Sequence, residues 1–230
     1  MIDGAVADRA VAAVHDGDDA SLLALLVAHP GLASARLPGQ GSRTLLHVAT
    51  DWPGGFPRVV ETIAALVSHG ADPNVAFQGD HAETPLHWAA SSGDVAALDA
   101  LLDAGADIEA PGSVIAGGTP MADATAFGQW DAARRLLERG ARTSLFEAAA
   151  LGLVDRVSDM IASGGVTPDA LTGALWGACH GGQRSAAELL LAHGADVNWV
   201  GYDGLTPIGA AQRAGANDLV AWLAGLGRTT

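Results

Sequence analysis

The chain has no lysine: all 12 basic residues among its 230 are arginine. That excludes Schiff-base chemistry on a lysine and the lysine of a phosphate-binding P-loop. Cysteine occurs once, as Cys179, so no intrachain disulfide can form. Aromatic residues make up only 5% of a chain that is 49% apolar. Such a composition calls for a core of small Ala and Leu side chains on closely packed helices. Basic charge is scarce too: 26 acidic residues leave a formal net charge of −14. An acidic surface repels phosphate backbones and anionic membranes, so neither nucleic acid nor membrane is an expected partner. The N-terminal stretch is acidic and lacks the basic and apolar regions of a secretory signal. The longest apolar run, Leu22 to Ala28, is too short to span a bilayer. A soluble, monomeric, cytoplasmic protein is the expectation.

Catalytic signatures are equally sparse. The sequence contains no H-E-x-x-H, no paired C-x-x-C and no closely spaced His/carboxylate set, so neither a metal nor another cofactor is expected. It contains no G-x-S-x-G. The G-x-G in "LPGQGSRTLLH" (Leu37 to His47) lacks the third glycine of a dinucleotide fingerprint. Cys179 aligns with Ala90 at an inward, small position, where it reads as a packed thiol.

What is present is a repeat. "ETPLHWAASSGDVAALDALLDAGADIEA", Glu83 to Ala110, reads as a cap, a short helix, a Gly turn, a longer helix and a second Gly. Thr84 suits an N-cap, and Pro85 at the first helical position loses no needed N–H. Leu86, Ala89 and Ala90 form one apolar stripe, and Val95, Leu98, Leu101 and Leu102 form another. Gly93 permits the tight turn between antiparallel helices, and Gly105 suits a left-handed C-cap. The unit recurs from Thr44, Thr119, Thr143, Gly173 and Thr206, with a degenerate copy at the N-terminus that turns at Gly17. The turn glycines are Gly128, Gly152, Gly182 and Gly215, and the closing ones Gly70, Gly140, Gly164, Gly194 and Gly227. That makes seven units. A helix pair of this kind cannot bury its own apolar face, so neighbours must stack on it.

T-P-L-H at Thr84–His87 and G-A-D-x-N at Gly70–Asn74 and Gly194–Asn198 resemble ankyrin repeats, and the spacing lies near the 33-residue ankyrin period. The resemblance implies an all-α solenoid of stacked antiparallel helix pairs, a single domain over residues 1–230, with short β-hairpin or loop fingers. Repeat two carries an insertion, "DWPGGFP" (Asp51 to Pro57), that Pro and Gly make a fixed loop. The finger between repeats four and five is nearly missing in "RGARTSLF", which suggests a notch at Arg139–Leu145.

By the same resemblance, His47 and His87 brace the stack through backbone hydrogen bonds. His69 and His193 sit at outer-helix C-termini, where imidazole complements the dipole. The concave groove would be lined by Trp88, Asp123, Glu147, Ser91, His180, Phe127 and Arg213. The finger tips would add His81, Glu83, Trp199, Tyr202 and Asp203. Such a face is expected to bind a protein partner carrying a basic patch. An alternative is a small-molecule pocket and cofactor-free acid/base enzyme (isomerase, cyclase, dehydratase or hydrolase). There Asp123 and Glu147, on adjacent inner helices, would split their pKa values, with His180 as proton shuttle.

Overall fold

In the computed structural model, residues 2–38 and 42–226 are described. Gly39, Gly41 and Gly227 fall outside that range. The chain divides into two compact units, Met1–Ala141 and Arg142–Thr230. All regular structure among the described residues is helical.

The first unit holds four helix pairs: α1 (Gly4–Asp16) with α2 (Asp19–Ala28), α3 (Leu45–Thr50) with α4 (Val59–Ser68), α5 (Pro85–Ser92) with α6 (Val95–Asp103), and α7 (Pro120–Ala126) with α8 (Trp130–Glu138). Odd-numbered helices pack on one another as an inner row, and even-numbered ones as an outer row. The second unit holds three pairs: α9 (Leu145–Ala150) with α10 (Val154–Ala162), α11 (Pro168–His180) with α12 (Arg184–Ala192), and α13 (Pro207–Arg213) with α14 (Asn217–Leu226). There α11 packs between α9 and α13.

The repeat chemistry explains each pair. Gly93 turns the chain at φ 76°, a conformation that a side chain resists, and its backbone N–H closes on the Ala90 carbonyl. At the outer-helix ends, His69 and His193 direct Nδ1 at the carbonyls of Ala65 and Leu189, both at 2.8 Å. Asn74 links neighbours: its amide donates to the Gly105 carbonyl (3.1 Å), and its side-chain oxygen accepts from the Asp107 N–H (2.7 Å). The core is Ala and Leu, as composition requires. Leu46, Leu66, Leu86, Leu98, Leu101, Leu136 and Leu175 are fully buried among small alanines. Cys179 is fully buried with them, and burial pushes its thiol up to about 12.

Two local expectations need correction. The cap of α9 is Ser144 rather than Thr143, because Ser144 and Glu147 complete a reciprocal capping box. The sixth repeat begins at Thr167, not Gly173. Thr167 caps the helix, Pro168 occupies its first turn, and α11 runs 13 residues in place of a finger. The fingers are loops, not paired strands, among the described residues. One backbone bond closes the finger at 75–83 (Phe77 N–H to Glu83 carbonyl, 2.7 Å), and another joins it to the next (Ala82 N–H to Gly112 carbonyl, 3.2 Å). The 51–57 insertion is a pinned loop. Asp51 pairs with Arg43, Gly55 N–H donates to Asp94 (2.7 Å), Phe56 stacks on His15 at 4.7 Å, and Arg58 pairs with Asp19.

Candidate functional site

The predicted site residues fall into two clusters, one in each unit. In the first, the recurring geometry of the cap at Thr44 and Thr84 sets the stage. Thr84 N–H donates to His87 Nδ1 at 3.1 Å, so that nitrogen is an acceptor and the ring proton sits on Nε2. Nε2 then donates to the Gly118 carbonyl at 3.3 Å, just before the next cap. His47 repeats this between Thr44 (3.3 Å) and the Glu83 carbonyl (3.3 Å). Burial lowers both imidazoles, His47 to about 4, so they stay neutral as braces.

Around these braces lies a charged network. Glu83 is buried (7% exposed) at the foot of its finger. One carboxylate oxygen accepts from the Val114 N–H at 3.0 Å, and the other accepts from the Trp88 indole N–H at 2.9 Å. His81 Nδ1 lies 3.1 Å from the latter oxygen. Phe77 stacks on His81 (4.6 Å), and Trp88 meets His47 edge-on (5.0 Å). Asp123 is fully buried beneath Ser113, whose hydroxyl donates to it. Burial raises Asp123 to about 7; the Ser113 hydroxyl opposes the rise, and Glu83 adds to it. Within its own unit, the acid neighbour of Asp123 is Glu83. With no solvent-exposed surface, Asp123 is part of the interior of its unit rather than a groove group. Ser91 donates to the Trp88 carbonyl (3.1 Å) near the helix turn, and Phe127, the C-cap of α7, is 52% exposed.

The second cluster is aromatic. Tyr202, 53% exposed in a short 3-10 turn, meets Trp199 (5.6 Å), Phe146 (5.7 Å) and Trp176 (5.1 Å), all nearly edge-on. His180 lies 5.2 Å from Trp176. The Arg213 guanidinium sits 5.5 Å over the Trp176 ring and pairs with Asp203 at 2.5 Å. Glu147 is buried and accepts from the Ser144 N–H at 2.5 Å. Its oxygen serves the cap of its own helix.

Sequence reasoning placed Trp176 in the histidine position of its repeat as a core filler and missed Phe146, Ser113 and Val114. Trp176 stands in the brace position, and its indole N–H donates to the Leu205 carbonyl at 3.0 Å, just before the Thr206 cap. That is the histidine brace rebuilt with tryptophan.

His47, His87 and Trp176 each reach the carbonyl before the next cap, which ties one repeat to the following one. The stacked helix pairs have the fold of ankyrin repeats. The model for ankyrin repeats (3 copies) matches residues 10–112. Similar curated proteins are ankyrin repeat and MYND domain-containing protein 1 of mouse (36% identical over 75 residues) and of human (35% over 75 residues). In both cases the match covers 33% of this chain and 8% of the relative's length. The crystal structure of the human ASB11 ankyrin repeat domain shares the fold at a TM-score of 0.55 and 22% identity, covering 93% of this chain and 96% of that one. No helix among the described residues is long and apolar enough to cross a membrane, and no group of three His, Cys, Asp or Glu among them could hold a metal ion.

Proposed function

We propose that this ankyrin-repeat chain is a protein-recognition module whose partner presents a basic patch, and that the aromatic surface around Tyr202 is a principal contact. Ankyrin repeats generally serve as protein-interaction modules, and that much the family supplies. The observation that supports the finer reading is the convergence of Tyr202, Trp199 and Arg213 on one face beside the exposed Val200 (62%). Tyr, Trp and Arg are the side chains that most often anchor protein interfaces: the rings bury large area with few torsions to freeze, and the guanidinium offers a planar fork of donors. Charge supports the basic partner. The chain carries a net −14, and Asp203 and Asp196 flank the aromatic face.

The test is affinity capture with the wild type and with Tyr202→Ser/Val200→Ser, each at low and moderate salt. A Trp52→Ser variant serves as the control, since Trp52 is 78% exposed elsewhere, in the repeat-two insertion. Partners lost with the double variant, kept with the control and weakened by salt are the expected result. Retention of the same partners by the double variant would remove Tyr202 from the interface.

A further inference from the structure

Besides the Ala82–Gly112 backbone bond, the fingers at residues 75–83 and 110–118 are held by four groups, Glu83, Val114, Ser113 and Asp123. Glu83 reaches across to the Val114 N–H (3.0 Å), and Ser113 reaches down to Asp123. The Ser113 hydroxyl also accepts from the Ile115 N–H at 2.8 Å, which fixes the turn that exposes Val114 and Ile115. One oxygen of Asp123, Oδ2, has no donor from any N–H or hydroxyl, although its residue is fully buried. What lies beside Asp123 is the Glu83 carboxylate. Two carboxyl groups can satisfy each other only when one of them carries a proton.

The surroundings offer no alternative charge to Asp123. From the α5 side come His81 and Trp88, both directed at Glu83, and the neutral brace His87. The charges of α8 are engaged elsewhere. Arg134 pairs with Asp131, and Arg135 pairs with Glu138 and with Asp99 of α6. Arg139, just beyond α8, pairs with Asp99 and Asp103. His81 faces Glu83 alone, so a proton is what can satisfy Asp123 Oδ2 against the Glu83 carboxylate.

We propose that one proton shared by Asp123 and Glu83 is a latch that ties the 110–118 finger to the 75–83 finger, and that its loss releases the 110–118 finger. The released state places two anions side by side in the interior, and the least costly relief is outward movement of the segment that Ser113 and Val114 anchor. The cleft between the fingers, about 460 Å³ and lined by Asp80, His81, Ala82, Gly112, Ser113, Val114 and Gly117, changes shape with it. The latch does not depend on what the fingers bind.

Amide hydrogen exchange read by mass spectrometry tests this. After correction for base-catalysed intrinsic exchange, residues 110–118 should lose protection about tenfold between roughly pH 6 and roughly pH 8.5, while α11 and α12 do not change. Asp123→Asn keeps the shape, donates permanently to Glu83, and should show equal protection at both pH values. An infrared band of a protonated buried carboxyl should be present in the wild type at the lower pH, vanish at the higher, and be missing from the variant. Should Asp123→Asn not fold, Glu83→Gln serves the same comparison, its finger again losing the pH response. Unchanged protection of 110–118 in the wild type, or a pH response kept by the folded variants, would overturn the latch.

Discussion

The two units meet one demand with different chemistry. In α3, α5 and α11 a ring N–H of the inner helix reaches the carbonyl that precedes the next cap. The first unit uses His47 and His87, each tied back to its own threonine; the second uses Trp176, which bonds only forward. The difference extends outward. Residues 1–141 contain 18 acidic and 7 basic residues, a net −11, and residues 142–230 contain 8 and 5, a net −3. Where the brace is imidazole, titratable groups gather around it: Glu83, His81 and Asp123. Where it is indole, Phe146, Tyr202 and Trp199 gather instead. Polar bracing makes a unit responsive to protons, and aromatic bracing makes it depend on packed volume.

Removing the indole should show this most strongly. Trp176→Ala deletes a side chain that is 3% exposed together with its bond to Leu205. A loss of about 3–5 kcal/mol is expected for such a truncation. Denaturant unfolding followed by hydrogen exchange should place the loss in α9 to α13, with α3 and α5 keeping their protection. Equal loss in both would merge what the comparison separates.

The pH response comes next. Asp123 is raised above its unfolded value of 3.8 to about 7, so its contribution is fully present below about pH 4 and is lost as pH rises to about 7. His47 is lowered from 6.5 to about 4, so its contribution is present above 6.5 and is lost as pH falls to about 4. The two slopes oppose each other across the same window, each on the order of 3–4 kcal/mol at most. The wild type should therefore show a shallow stability profile between about pH 4 and 6.5. Asp123→Asn leaves His47 unopposed, so its melting temperature should fall steeply on acidification. A flat profile for that variant would mean that His47 does not titrate as its burial implies.

The smallest effect concerns Arg213. Its contact with Trp176 and its pair with Asp203 are exposed, so Arg213→Gln should cost less than about 1 kcal/mol. Stability is measured by denaturant titration, and partner capture is read separately. A large loss of stability would make Arg213 a structural member of the aromatic cluster rather than a group held for contact.

How much of this could be read beforehand follows from the range of each interaction. The turn glycines and Thr-Pro caps were legible because they answer to local backbone geometry. Ser144 could also have been read, since S-x-x-E at Ser144–Glu147 is a capping box one residue past the threonine that alignment favoured. Thr167–Pro168 was equally visible, but aligning on Gly182 drew the start of that repeat to Gly173. The Glu83–Asp123 pair was not legible. Forty positions separate the two, and they meet only because the intervening finger folds Ser113 and Val114 over them. Sequence spacing placed Asp123 on a groove; the finger covers it.

The repeat-two insertion has a consequence for how such a chain can change over generations. Its flanks are fastened by Asp51, Gly55, Phe56 and Arg58, while Trp52 projects with 78% of its surface exposed. The anchors and the displayed side chain are different residues. Selection can therefore exchange the tip without disturbing the period of the helices, or vary the period elsewhere without moving the tip. The loop gives an otherwise regular array one position where novelty costs little of the inherited framework.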